Sequence, residues 1–247
     1  MSNTTFTQVT ELGSGRPALV LHGGGGPFTV APLVQHLAET THVIAPTHPG
    51  FNGTPTDASI TSVRSLADAY ADFLIERDLH GVIVVGSSVG GWLAAELALG
   101  SAADRIAGIV LINGVGVQVD GHSVRSLAGL TPQEIAQFSF HDPLKLQVPP
   151  PTPEGIAIAK GNAATLAALS GPDSVDPTLL GRLAAAHAPA LVIWGVSDRV
   201  VDEDYGRAFA AAIPGAEFTL IPDAGHLPYL ENAAEVWAAL DPFVASH

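Results

Sequence analysis

The sequence of 247 residues contains no cysteine, and this absence excludes two kinds of site. A disulfide framework needs paired cysteines, and a thiolate-based metal or redox site needs at least one. The chain is also poor in charge, since only 14% of its residues are Asp, Glu, Lys or Arg, whereas 47% are hydrophobic. This composition is typical of a folded protein with a large core, and the length suits one domain of the larger α/β kind.

Basic residues are especially scarce. Ten Lys and Arg residues stand against 24 Asp and Glu residues, which gives a net charge of −14, and the lysines are Lys145 and Lys160. Nucleic acids and anionic membrane surfaces are bound through clustered Lys and Arg side chains. We therefore expect no nucleic-acid partner and no membrane partner, and we interpret the acidic surplus as a contribution to solubility.

No segment of the sequence has the pattern of a targeting signal or a membrane span. The first ten residues, MSNTTFTQVT, contain no basic stretch followed by an apolar one, so they do not resemble a secretory signal. The weakly charged window at 81–100 is as long as a membrane helix, but three glycines and two serines between positions 86 and 91 interrupt it. We expect a cytoplasmic protein.

Short apolar runs alternate with longer amphipathic segments along most of the chain. The runs are rich in Val, Ile and Leu, as in parallel strands covered on both faces, and lie at 18–21, 42–45, 82–85, 106–112, 190–194 and 218–221. Residues 6–12 alternate in polarity and suit an antiparallel edge strand. Helical patterns occupy 30–39, 60–79, 89–99, 203–212 and 233–244. The alternation predicts an α/β fold with a mostly parallel, doubly wound sheet.

The segment 115–188 breaks this alternation because it contains no strand pattern. It holds helical patterns at 131–138 and 155–168 and a proline-rich stretch at 149–153. We interpret it as a helical cap inserted before the last two strands, and such a cap forms the lid of a substrate pocket. The alternative is that these helices only extend the core. The predicted domains are a cap at 115–188 and a core formed by 1–114 and 189–247.

One apolar run ends in a turn that contains a serine. Residues 82–91 read VIVVGSSVGG, so Ser88 stands at the centre of a G-x-S-x-G pattern between a buried strand and a helix. Glycine two residues before and after the serine relieves crowding in so sharp a turn. The turn presents the hydroxyl above the sheet, and the Val89 amide at the helix start can donate to an oxyanion. We predict that Ser88 is a nucleophile.

On these residues the sequence resembles the α/β-hydrolase family over nearly its whole length. The resemblance implies that an acid and then a histidine follow the serine along the chain and activate it. Asp198, in the segment LVIWGVSDRV, matches the family's acid, whereas Asp202 and Asp204 lie in or beside the next helix. His226 matches the family's histidine because it follows a glycine at the end of the last apolar run.

The resemblance also implies a second oxyanion donor in the loop after the first parallel run, which reads HGGGGP from His22. We predict Gly24 as this donor and Gly25 as the alternative, and we expect His22 to orient the loop. Gly25, Ser87 and Phe138 are predicted to contact the substrate. A phosphate-binding loop is a weaker interpretation of the four glycines, because no Lys-Ser/Thr pair follows them.

The function expected from these residues is hydrolysis of a small carboxylic ester through an acyl-enzyme, with no metal and no organic cofactor. A serine at position 88 disfavours dehalogenases and epoxide hydrolases of this fold, which need an aspartate there. The substrate is a small molecule, and a homodimer formed through the cap surface stays an open alternative.

Two other functions stay open as well. The segments HGGGGP and PGFN resemble those of hydrolases that cleave C–C bonds in ring-fission dienoates. Those enzymes carry an asparagine before the nucleophile, where this chain has Ser87, and an arginine that contacts the substrate carboxylate. Arg125 and Arg182 lie in the cap region, but neither is in a matching motif. The third alternative is a small-molecule receptor with little turnover, because fold does not fix function.

Overall fold

The computed structural model describes residues 5–144 and 152–247. Its strands are β1 (Val9–Gly13), β2 (Pro17–Leu21), β3 (His42–Pro46), β4 (Val82–Ser87), β5 (Ile106–Ile112), β6 (Gly116–Val117), β7 (Val175–Asp176), β8 (Ala190–Gly195) and β9 (Glu217–Ile221). Seven of them form one sheet in the order β1-β3-β2-β4-β5-β8-β9, and β6 pairs with β7 separately. The edge strand β1 is antiparallel to β3, and every other pair in the sheet is parallel, as predicted.

Helices cover both faces of the sheet. They are α1 (Ala31–Leu37), α2 (Val63–Glu76), α3 (Val89–Leu97), α4 (Pro132–Ser139), α5 (Pro153–Ser170), α6 (Leu179–Arg182), α7 (Glu203–Ala212), α8 (Pro228–Glu231) and α9 (Ala233–Ser246). One core cluster joins α2, α3 and α7 to one face, and the other joins α1 and α9 to the opposite face. Every residue of β4 and β8 is buried, which explains their uninterrupted apolar pattern.

The weakly charged window at 81–100 is a strand and a helix rather than one long helix. Strand β4 ends at Ser87, and α3 begins at Val89, so the chain reverses its direction at the single residue between them. Among the described residues, no helix combines the length and the apolar character that crossing a membrane requires.

The segment between β5 and β8 contains α4 and α5, as the helical patterns predicted, and also the four-residue helix α6, which no pattern predicted. The prediction that this segment contains no strand is wrong, because β6 and β7 form a two-residue parallel ladder in it. A strand of two residues is too short to produce a periodic signal. The prolines at 149–151 lie outside the described residues, whereas Pro153 opens α5, where its missing N–H has no helical partner to lose. The division into core and cap stays a prediction.

Candidate active site

The turn at Ser88 has a backbone conformation that only its surroundings can maintain. Ser88 has φ 58° and ψ −120°, which is outside the regions that non-glycine residues normally occupy. A Cβ added to Gly86 would overlap the carbonyl group of Gly90, and one added to Gly90 would overlap the carbonyl group of Leu21. Both glycines of the pattern are therefore required by backbone packing.

The three side chains predicted as a triad lie in one hydrogen-bonded row. The Ser88 hydroxyl is 3.0 Å from His226 Nε2, and His226 Nδ1 donates to Asp198 Oδ2 at 2.7 Å. The other carboxylate oxygen accepts the backbone amides of Val200 at 2.7 Å and Val201 at 3.1 Å. With its two oxygens bound in this way, Asp198 can hold the histidine ring so that Nε2 accepts the serine proton.

Sequence reasoning missed Asn113, which follows β5 as Asp198 follows β8. Asn113 is fully buried, and its Nδ2 donates to Asp198 Oδ2 at 2.7 Å. Its Oδ1 accepts the Gly195 amide at 3.2 Å. The available signal was its place at the carboxyl end of a strand, since the carboxyl ends of parallel strands share one edge of the sheet.

The glycine loop after β2 lies directly against the nucleophile. A Cβ added to Gly23 would lie 2.9 Å from Ser88 Cβ. Within the described part of the chain, the amides of Gly24 and Val89 donate no hydrogen bond to another protein group. Stabilisation of an oxyanion requires such unpaired donors, and the roles of Gly24 and Val89 stay predictions.

The Gly23 carbonyl fixes the direction of the Gly24 amide because both belong to one planar trans peptide, in which C=O and N–H point in opposite directions. This carbonyl accepts hydrogen bonds from His22 Nδ1 at 2.8 Å and from the Gly26 amide at 3.1 Å. The expectation that His22 orients the loop agrees with this contact.

His22 belongs to a buried row of polar groups beneath the loop. His22 Nε2 accepts the His48 amide at 3.0 Å, and His48 Nε2 donates to the His22 carbonyl at 2.9 Å. The Tyr70 hydroxyl is 2.6 Å from His48 Nδ1, and the two imidazole rings stack at 3.6 Å. Burial lowers the pKa of His22 to about 4 and the pKa of His48 well below its ordinary value. Both rings are therefore neutral at physiological pH.

The loop that carries His226 is fixed by a second residue that sequence reasoning missed. The carboxylate of Glu231 accepts the Gly225 amide at 2.7 Å and the amides of His141 and Asp142 at 3.1 Å each. The His226 amide itself donates to the Ser139 carbonyl at 2.7 Å. These contacts join the end of α4 to the histidine loop. No periodic pattern marks Glu231, because its partners are backbone groups far away in sequence.

The residues predicted to contact substrate have protein partners in this structure. The Ser87 hydroxyl is buried and 3.0 Å from the hydroxyl of Tyr229. The Gly25 carbonyl accepts from Asn162 Nδ2 at 3.1 Å. The Phe138 ring lies under the guanidinium of Arg125 at 4.2 Å. Their predicted contacts with substrate stay predictions.

The two arginines of the cap region are bound to protein groups. Arg182 donates to both carboxylate oxygens of buried Glu96, at 2.6 and 2.8 Å, and to Asp176 at 2.9 Å. Arg125 donates to the Arg199 carbonyl at 3.1 Å while it stacks on Phe138. The guanidinium of Arg182 is therefore bound to acidic side chains, whereas among the described residues only Nε of the exposed Arg125 has a hydrogen-bond partner.

The other acidic residues near the site have separate roles. Asp202 caps α7 by accepting the Tyr205 amide, and its carboxylate also binds His122.

Over the described ranges, no group of three His, Cys, Asp or Glu side chains is arranged to hold a metal ion.

Comparison with known proteins places this geometry in context. The model of a family described as "Alpha/beta hydrolase family" matches residues 18–239. The chain is 28% identical to the dihydrolipoyllysine-residue acetyltransferase component of the acetoin cleaving system of Cupriavidus necator, over 92% of this chain and 63% of that protein. The chain thus matches less than two thirds of the length of that relative.

Two further proteins resemble the chain over nearly its whole length. The 2-hydroxymuconate semialdehyde hydrolase of Pseudomonas putida is 24% identical, with 97% of this chain and 90% of that protein covered. A solved structure of a thermophilic esterase from Thermogutta terrifontis has a TM-score of 0.72 at 24% identity, with 97% of this chain and 93% of that chain covered. At this identity the esterase structure supports the fold alone.

Proposed function

Because the chain belongs to the alpha/beta hydrolase family, we propose that it is a serine hydrolase that cleaves a small carboxylic ester through an acyl-enzyme intermediate. The observation that carries this proposal is the hydrogen-bonded row of Ser88, His226 and Asp198, with distances of 3.0 and 2.7 Å. A serine hydroxyl is a weak nucleophile, and a neutral imidazole at hydrogen-bond distance activates it by accepting its proton.

In the first step, Ser88 Oγ attacks the ester carbonyl carbon, and its proton moves to His226 Nε2. The carbonyl oxygen becomes an oxyanion, which accepts hydrogen bonds from the Gly24 and Val89 amides. Asp198 stabilises the imidazolium through Nδ1. Collapse of this intermediate breaks the bond to the alcohol, which takes the proton from His226 as it leaves.

In the second step, water replaces the alcohol. His226 removes a proton from the water molecule, which attacks the acyl carbon of the ester on Ser88. The same two amides bind the oxyanion again. When the Ser88 bond breaks, His226 returns the proton to Oγ, and the carboxylic acid is released. The enzyme is then in its starting state, without any metal or redox group in the reaction.

Charge and side-chain contacts favour an uncharged ester over a charged dienoate. Arg182 is paired with buried Glu96, so its charge is already neutralised by a protein carboxylate, and Arg125 is stacked on Phe138. The net charge of −14 repels anionic substrates. The residue before the nucleophile is Ser87, whose hydroxyl contacts Tyr229.

Hydrolysis of a C–C bond is the second candidate function. The similarity to the 2-hydroxymuconate semialdehyde hydrolase favours it, because that match covers 97% of this chain and 90% of that protein. The same serine, histidine and oxyanion donors would serve such a reaction. A receptor with slow turnover is the third candidate, since binding alone can use the same pocket.

The test is a comparison of the wild type with Ser88→Ala on a series of p-nitrophenyl acyl esters and one ring-fission dienoate. We expect ester turnover that falls by about three orders of magnitude or more in Ser88→Ala. Ser101→Ala changes an exposed serine and is the matched control. Ester turnover that Ser88→Ala leaves unchanged contradicts the mechanism. Dienoate cleavage much faster than ester cleavage favours the second candidate, and one slow turnover with retained product favours the receptor.

A further inference from the structure

Helix α5 contacts the rest of the protein through half-buried Leu166 and Leu169, which pack against the core, and through a buried polar residue, Asn162. Only Asn162 and Ser170 of its 18 residues are buried, and Asn162 is 2% exposed. A buried amide must have hydrogen-bond partners on both its oxygen and its nitrogen, because an unpaired one is costly. The identity of those partners therefore shows what the helix is bound to.

The Asn162 side chain bridges two loops of the core. Its Oδ1 accepts the Asn52 amide at 2.7 Å, and its Nδ2 donates to the Gly25 carbonyl at 3.1 Å. Gly25 is in the glycine loop beside Ser88, and Asn52 is in the loop after β3. One turn later on the same face, Thr165 Oγ1 donates to the Gly50 carbonyl at 3.0 Å.

Helix α5 approaches the glycine loop closely at Gly24 and Gly26. A Cβ added to Gly26 would lie 2.7 Å from Asn162 Nδ2, and one added to Gly24 would lie 2.6 Å from Leu166 Cδ2. A side chain at Gly24 or Gly26 would therefore have to displace Leu166 or Asn162 of the helix, and Gly26 also has a positive φ of 96° that favours glycine.

Four consecutive glycines have more conformational freedom than any other loop of the same length. An oxyanion donor works only if it is already oriented before charge develops. His22 and the Gly26 amide bind the Gly23 carbonyl from one side of the loop, and Asn162 binds the Gly25 carbonyl from the cap side. The Gly24 amide lies between these two fixed carbonyls.

We propose that Asn162 is a positioning residue that binds the glycine loop to α5 and orients the Gly24 amide as the oxyanion donor only while the helix is docked. The catalytic part of this inference rests on the proposed ester hydrolysis. The cap is then a part of the catalytic machinery as well as a cover for the substrate, because its helix supplies a hydrogen bond that the loop needs.

The test uses Asn162→Asp and Asn162→Ala. Aspartate keeps an oxygen that accepts the hydrogen bond of the Asn52 amide. Its second oxygen replaces Nδ2 and cannot donate to the Gly25 carbonyl, so only that hydrogen bond is lost. We expect both variants to lower kcat on p-nitrophenyl acetate by about tenfold or more, with KM changed by less than about threefold. Lys160→Ala, on the exposed part of α5, is the control and keeps the wild-type kcat.

Amide hydrogen exchange supplies a readout that does not depend on turnover. A peptide that covers residues 22–28 exchanges faster in both Asn162 variants than in the wild type if Asn162 orders the loop. Wild-type kcat and wild-type exchange in Asn162→Asp overturn the proposal, because Asn162 then only fastens α5 through Asn52. If the wild type cleaves no ester, the proposed function fails, and the exchange comparison still tests the ordering of the loop. Asn162→Asp alone suffices if Asn162→Ala does not fold.

Discussion

The Asn113 side chain donates a hydrogen bond to the Asp198 carboxylate at 2.7 Å, in the buried space between the ends of β5 and β8. The oxygen that accepts it, Oδ2, is the one that also binds His226. Asn113 cannot rotate its amide without losing the Gly195 contact, so its orientation is fixed. Asn113 therefore fixes the position of the same carboxylate oxygen that binds the histidine.

We expect Asn113→Ala to lower kcat by about tenfold and the free energy of unfolding by about 1–3 kcal/mol, because a buried amide and a carboxylate lone pair lose their partner. Urea unfolding and steady-state ester hydrolysis measure the two effects. In Asn113→Asp, a second carboxylate faces Asp198, so we expect a larger loss of kcat at pH 7 than in Asn113→Ala. Equal kcat in the wild type and both variants contradicts a positioning role.

Because His22 and His48 are buried and neutral, we expect the protein to lose stability in mild acid. Burial lowers the pKa of His22 from 6.5 to about 4, so the unfolded chain binds its proton at a higher pH than the folded protein does. The contribution of neutral His22 to the free energy of unfolding is therefore complete above pH 6.5. It is lost as the pH drops toward 4, and the loss amounts to about 3 kcal/mol. His48 acts in the same direction. Urea titrations between pH 7.5 and 4.5 measure this slope.

His22→Asn is the variant that checks the source of this acid effect. Asparagine can still donate to the Gly23 carbonyl but does not titrate, so we expect a shallower slope between pH 6.5 and 4. The surface residue His122 has a raised pKa because of its hydrogen bond to Asp202, and it acts with the opposite sign. A slope that His22→Asn leaves unchanged rules out the His22 imidazole as its cause.

Glu231→Gln tests the link between the cap and the histidine loop. The substitution replaces one acceptor oxygen by an NH2 group, which faces a backbone amide that it cannot bind. We expect kcat to fall by about tenfold and the free energy of unfolding to fall by about 1–2 kcal/mol. Kinetics and thermal unfolding measure both. Glu235→Gln, an exposed change on α9, is the matched control, and a similar kcat in the two variants argues against this role.

Gly90→Ala tests whether backbone packing requires glycine in the turn. Its new Cβ would overlap the Leu21 carbonyl, and a backbone group of the central sheet cannot move aside. We expect destabilisation by about 3 kcal/mol or more, seen in thermal unfolding and in the soluble yield. The control is Gly161→Ala on α5, where a Cβ meets nothing within 4 Å and a small gain of about 0.5–1 kcal/mol is expected. A stable, active Gly90→Ala protein is the contrary result.

Asn162 and Glu231 show why part of the site was invisible in the sequence. Each is one polar residue in a helix, and each binds backbone groups of loops that are distant along the chain, such as Gly25 and His141. No spacing rule connects a side chain with a distant peptide group. The ladder of β6 and β7 was missed for a related reason, since two residues carry no period.

The sequence by itself determined the seven strands of the main sheet, the longer helices and the turn at Ser88. Buried parallel strands require continuous apolar runs, and a sharp turn between strand and helix requires glycine at Gly86 and Gly90, so these features are written in local patterns. Only the tertiary structure decided which polar groups hold Asp198, His226 and the glycine loop in place. Those contacts form between loops that lie together at one edge of the sheet. The positions of these loops depend on the packing of the whole chain, which no local pattern encodes.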